Sequence, residues 1–131
     1  MTVFFREREV VREVIERFVA LLARGRASEA LALLLPSKTW TPEVLVRVIR
    51  NYGWIDPRKD GKTFAVTMPA AARGAGPRFE LRWFDTPHGA RVAHASYDLP
   101  LEGEWSDVTA LFDVLDGPEG LALALDDVHV L

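Results

Sequence analysis

The closing stretch of the chain, WSDVTALFDVLDGPEGLALALDDVHVL from Trp105 to Leu131, leaves few options for folding. Val108, Ala110, Phe112 and Val114 alternate with Thr109, Leu111 and Asp113, a period of two with one fully apolar face. Leu121, Leu123 and Leu125 repeat the pattern around the small Ala122 and Ala124. Between the two runs, Asp116-Gly117-Pro118-Glu119-Gly120 is dense in turn formers. The pattern predicts a β-hairpin. A tight turn sets Val114 opposite Leu121, Phe112 opposite Leu123 and Ala110 opposite Leu125, so each row pairs apolar with apolar and fixes the register.

An apolar sheet face needs a cover, and the first third of the chain supplies helices. Residues 4–24 place Val11, Val14, Ile15, Phe18, Leu21 and Leu22 at spacings of three and four, with Arg8, Glu9, Arg12, Glu13, Glu16 and Arg17 on the other side. Gly25 ends that helix, and a second is expected over 28–35, with Ser28 as its cap and Pro36 as its stop. The third, over 42–52, has the sharpest local signature. Thr41 caps it, Pro42 takes its first position, Trp40 can staple onto Leu45, and Gly53 closes it.

The middle of the chain reads as strands joined by turns. TFAVTM (63–68), RFELRWF (78–84) and ARVAHASYDL (90–99) precede the two strands of the hairpin, about 106–115 and 120–130. Asp85 to Gly89 reads as a turn, and AAARGAGP (70–77) as a mobile connection within one domain spanning 1–131. Setting Phe79 opposite Tyr97 and Tyr97 opposite Val108 puts Trp83 by Ala93 and Leu81 by Ala95, large against small. The layout is α+β: three N-terminal helices packed on a mostly antiparallel sheet of four to five strands.

Helices followed by a curved antiparallel meander that ends in LDDVHVL resemble the NTF2-like superfamily, also called SnoaL-like or cystatin-like α+β. The likeness spans nearly the whole chain, and the closing DDVHVL is similar to the W-x-I-x-x-V endings of that group. The stretch YDLPLEGEWSD (97–107) followed by LDDVHVL also resembles a bacterial family of uncharacterised small domains. The first resemblance implies a curved sheet whose concave face lies under the helices. It implies no single activity, because the superfamily holds isomerases, dehydratases, hydrolases, ligand binders and non-catalytic partner-binding subunits. The glycine-rich segment 70–77 departs from the family's pattern.

Composition narrows the function classes. A formal charge of −3 provides no basic patch, which disfavours nucleic acid. Cysteine is absent, so disulfides and thiol chemistry are excluded and a cytoplasmic location is expected. Arg6, Glu7, Arg8 and Glu9 stand where a signal peptide would need an apolar core, and no apolar run is long enough for a membrane span. Neither a phosphate-binding glycine loop nor a nucleophile elbow nor HExxH occurs.

What chemistry the chain has lies at the end of its last strand. In a regular strand Asp127 and His129 share the parity of the buried leucines and point inward with Ser106 and Tyr97, as a catalytic base and its orienter. A bulge at Asp126-Asp127 reverses that parity, turning Val128 and Val130 inward and His129 out to solvent. Trp40, Tyr52, Trp54 and Trp83 are candidates for lining an apolar ligand pocket where the third helix meets the sheet, with Trp54 just outside that helix. His88, His94 and His129 fall on different rows, so neither a metal nor another cofactor is expected.

Two function classes follow. The first is a non-catalytic binding or protein-interaction module, a homodimer formed through the sheet's outer face, with Leu111, Ala122 and Ala124 upon it, and Val128 too where the last strand runs regular. The alternative is a small enzyme or ligand-binding pocket of the isomerase, dehydratase or hydrolase type using Asp127 and His129. A narrower alternative is an immunity-type partner protein.

Overall fold

Three helices lead into a four-stranded antiparallel meander in the computed structural model, which describes residues 2–130. The helices are α1 (Thr2–Ala23), α2 (Ala27–Ala32) and α3 (Pro42–Arg50). The strands are β1 (Phe79–His88), β2 (Arg91–Leu101), β3 (Glu104–Gly117) and β4 (Gly120–Val130), in spatial order β1-β2-β3-β4. This is an α+β fold with a curved, open sheet. None of the described helices is long and apolar enough to cross a membrane.

One cluster of buried side chains draws on both classes of element. α1 contributes Val11, Ile15, Phe18, Val19 and Leu22; α3 contributes Leu45, Val48 and Ile49. The sheet contributes Ala93, Ala95, Tyr97, Val108, Ala110, Phe112, Val114, Leu123, Leu125 and Val128. Phe18 meets Phe112 edge-on, with ring centroids 5.6 Å apart, and Arg8 and Arg12 of α1 lie over the Phe79 ring at 4.6 and 5.8 Å. α3 begins as its sequence requires, with Thr41 Oγ1 accepting from the Val44 N–H at 3.3 Å and Pro42 in the first turn.

The rows of the sheet differ from the sequence reading in one systematic way. β1 and β2 pair as expected, Phe79 with Tyr97, Leu81 with Ala95 and Trp83 with Ala93. β3, however, is displaced by two residues against both neighbours. Tyr97 pairs with Ala110, Phe112 with Leu125 and Val114 with Leu123. A slip of two preserves every inward and outward assignment, so the apolar pattern cannot detect it. The turns decide it: Gly117 pairs with Gly120 around Pro118-Glu119, and Leu101 with Glu104 around Glu102-Gly103. Both residues of that second turn have positive φ, 52° and 82°, the primed geometry that matches strand twist.

Other boundaries also move. The expected strand 63–68 is not a strand; it makes one isolated bridge, Val66 with Leu101, and otherwise follows the β2–β3 turn as coil. Its hydrogen bonds go to that turn: Thr67 N–H to the Pro100 carbonyl, Ala65 N–H to the Glu102 carboxylate and Gly103 N–H to Thr67 Oγ1. The glycine-rich connection, though mostly exposed, touches the β2–β3 hairpin. Arg73 bridges to Glu104, and a Cβ on Gly76 would stand 2.8 Å from the Trp105 ring. α2 ends at Ala32, short of Pro36, and Ser28 lies inside it with Arg26 at the cap position. Residues 85–88 of the expected turn belong instead to β1, and the chain reverses at Gly89-Ala90.

Candidate functional site

The interruption in the β3–β4 ladder shapes the outer face of the sheet. Leu111 pairs with Asp127 and Phe112 with Leu125, which leaves Asp126 as an extra residue: the bulge. Asp126 keeps the outward parity of Ala122 and Ala124, and the extra residue puts Asp127 and His129 on that same side. Val128 turns inward and is buried. The bulge frees the Asp126 carbonyl from the ladder, and it accepts from Trp40 Nε1 at 3.2 Å. Trp40 therefore anchors the segment before α3 to the bulge, where the sequence suggested a staple onto Leu45.

Asp127 and His129 form one hydrogen-bonded pair on this face. His129 Nδ1 lies 2.5 Å from Asp127 Oδ2, and Asp127 Oδ1 accepts from the Val128 N–H at 2.8 Å. A carboxylate only accepts, so Nδ1 carries the proton and Nε2 is left as the outward nitrogen. The two side chains are 46% and 37% exposed, on the solvent side as a bulge requires. The regular-strand alternative, with both residues inward, does not occur.

The remaining candidates do not gather around that pair. Tyr97 is fully buried, and its hydroxyl donates to Glu16 on α1 at 3.3 Å; burial foremost, then the Glu16 carboxylate, pushes its phenol well above the ordinary range. Ser106 donates to the Leu99 carbonyl at 2.7 Å and accepts from the Val108 N–H at 3.1 Å, bracing the β2–β3 hairpin. Tyr52 donates to Asp107, and burial with that bond raises its phenol too. Trp83 is half-buried opposite Ala93.

Trp54, 64% exposed, opens a loop whose cleft is lined by residues 54–60. Arg58 braces that loop and holds the Asp60 carboxyl down at about 2. Trp54 follows a tight passage, because Gly53 has a φ of +90° and a Cβ there would lie 3.2 Å from the Val130 amide nitrogen. A separate apolar pocket of 280 Å³ between α1, α3 and residues 63–66 is lined by Leu22, Ile49, Phe64 and Val66, with Arg50 and Glu102 also in its wall. None of the residues singled out from the sequence lines it.

A second constellation on the outer face escaped the sequence reading. His94 of β2 pairs directly with Asp113 of β3, whose partner on β4 is Ala124, two residues before the bulge. His94, Asp113 and Asp126 each offer one donor atom, and the three atoms lie within 4.8 Å of one another. His94 Nε2 stands 3.7 Å from Asp126 Oδ2, and Arg91 Nε 4.0 Å from Asp113 Oδ1. The signal was present as outward parity on three strands, but the two-residue register error scattered these residues over different rows. A further row pairs Asp98 with Thr109 and His129; Thr109 Oγ1 donates to Asp98 at 2.9 Å, and Arg78 reaches the same carboxylate at 3.3 Å. Comparison with known protein families, curated proteins and solved structures gives no match.

Proposed function

We propose that the protein is a non-catalytic binding module whose recognition surface is the outer face of its sheet, occupied by a second copy of the chain. The contrast between the two faces carries this reading. Tyr97, Val108 and Phe112 are fully buried beneath the helices. On the other side Leu111, Leu115, Ala122 and Ala124 remain half-exposed among charged neighbours. The charges differ in sign across the face. Arg82 on β1 and Arg91 on β2 flank one side, and Asp126 and Asp127 on β4 the other, with Glu80 on β1 and the Arg78-paired Asp98 on β2 against the trend. A two-fold axis running along the strands lays the β1 side of one copy over the β4 side of its partner, as an isologous interface requires. The NTF2-like resemblance accommodates such a role, since that superfamily includes partner-binding subunits.

Light scattering coupled to size exclusion tests the proposal directly. The wild-type chain is expected at twice its 14.7 kDa mass, and Leu111→Arg at the monomer mass with an unchanged circular dichroism spectrum. A monomeric wild type overturns the homodimer and leaves the face to a different protein, the immunity-type reading. The enzyme reading rests on the Asp127–His129 pair, whose Nδ1 contact leaves Nε2 outward as a base. It is the weaker of the two, because both side chains stand half-exposed on an open face.

A further inference from the structure

We infer that His94, Asp113 and Asp126 form a binding site for a first-row divalent cation, of the zinc or manganese class, on the outer face of the sheet. The inference stands on its own geometry and does not require the homodimer. One imidazole and two carboxylates make a donor set of borderline and hard ligands suited to such ions, and the imidazole separates this cluster from an ordinary acidic patch. Two of the donors are cross-strand partners, His94 opposite Asp113, so their spacing is set by the ladder itself. The third comes from the bulge, whose carbonyl is tied to Trp40 at 3.2 Å. All three thus sit on strand positions, not on a loop.

The fit needs only small side-chain movement. Donor atoms at about 2.1 Å from one ion lie about 3.0–3.5 Å from each other. The three atoms here are within 4.8 Å, and His94 Nε2 stands 3.7 Å from Asp126 Oδ2. Asp126 is half-exposed and His94 one-third exposed, so both side chains can turn inward on the ion. Three protein donors leave coordination positions open toward solvent, the arrangement of a site that also accepts water or an outside ligand. The charged groups facing it are Arg91, which now approaches Asp113 at 4.0 Å, and Arg82, the cross-strand partner of His94. Arg91 is nearly half-exposed and can swing to solvent when an ion takes its place at Asp113.

The test is a titration of the full, untagged and chelator-treated chain with Co²⁺, read by visible absorption, and with Zn²⁺, read by calorimetry. One equivalent of each is expected to bind, with Zn²⁺ displacing Co²⁺. His94→Ala and Asp126→Asn should each weaken binding by at least about tenfold, the loss seen even for residues that only support a metal ligand. His129→Ala and His88→Ala should bind as the wild type does. Circular dichroism confirms that each variant is folded, which their exposed positions favour. Absence of binding in the wild type overturns the inference, as does undiminished binding by His94→Ala or loss of binding in His129→Ala. The dimer proposal is judged separately, by the mass of the chelator-treated protein, so either can fail alone.

Discussion

Tyr97 has its ring in the core and its hydroxyl at the edge of α1, where Glu16 accepts its hydrogen bond. That placement has a measurable consequence. The folded phenol ionises well above the ordinary tyrosine range of about 10, because burial and the Glu16 carboxylate both oppose a tyrosinate. The unfolded chain therefore gives up this proton first. Stability from this group is complete below pH 10 and falls as the pH rises above it. Tyr52, the only other tyrosine, shifts in the same direction and adds to the effect. Alkaline titration of the wild type should show tyrosinate absorbance appearing together with loss of helical circular dichroism, and Tyr97→Phe should flatten the decline in stability above pH 10. A wild-type tyrosinate signal that develops fully near pH 10 in folded protein would contradict the buried hydroxyl. Phe112 gives a second check, since its ring is fully buried against Phe18. Phe112→Ala should lower stability by about 3–5 kcal/mol. Urea unfolding identical to that of the wild type would refute its place in the core.

Among the elements, β4 decides most. Its first half follows the alternation of Leu121, Leu123 and Leu125, and its second half follows the bulge. The extra residue is favoured because Val128 is a better core side chain than Asp127 or His129, which would otherwise enter an apolar interior. Deleting Asp126 leaves a regular ladder in which Leu125 and Val128 still point inward and Asp127 and His129 outward, but it removes the carbonyl held by Trp40. That deletion should destabilise the protein by about 1–3 kcal/mol, since the Trp40 indole N–H loses its acceptor. Asp126→Ala, which keeps the extra residue and the carbonyl held by Trp40, should melt within a few degrees of the wild type. If the deletion melts like Asp126→Ala, the bulge carbonyl is not what anchors Trp40. The same strand explains why the site was only half legible. The Asp127–His129 pairing lies within one strand and could be read locally, with the bulge as one of two alternatives. His94, Asp113 and Asp126 lie on three strands, and a slip of two residues is invisible to side-chain parity but moves each partner by about 7 Å.

At the scale of the whole molecule, the sheet's two faces have different fates, and the chain shows why. Alternation along β2, β3 and β4 fixed which residues face inward, and the amphipathic stripe of α1 and the cap of α3 fixed where helices form, because these are properties of neighbours in sequence. The order of the strands also follows from short turns, which force consecutive strands to pair. The extended segment 63–68 was misjudged because its alternation is that of a strand, whereas its partners are the turn residues Pro100, Glu102 and Gly103. The glycine-rich 70–77 was read from its small residues as a connection alone; a contact the sequence did not reveal is at Gly76, where the lack of a Cβ lets the backbone lie against Trp105. Local sequence thus determined element identity and the sorting of side chains between core and surface. Register, the bulge, and with them the meeting of His94, Asp113 and Asp126, were decided only by the tertiary structure. The energies that choose between slips of two depend on turn geometry and on Trp40 reaching the Asp126 carbonyl across 86 residues of chain, which no local pattern encodes.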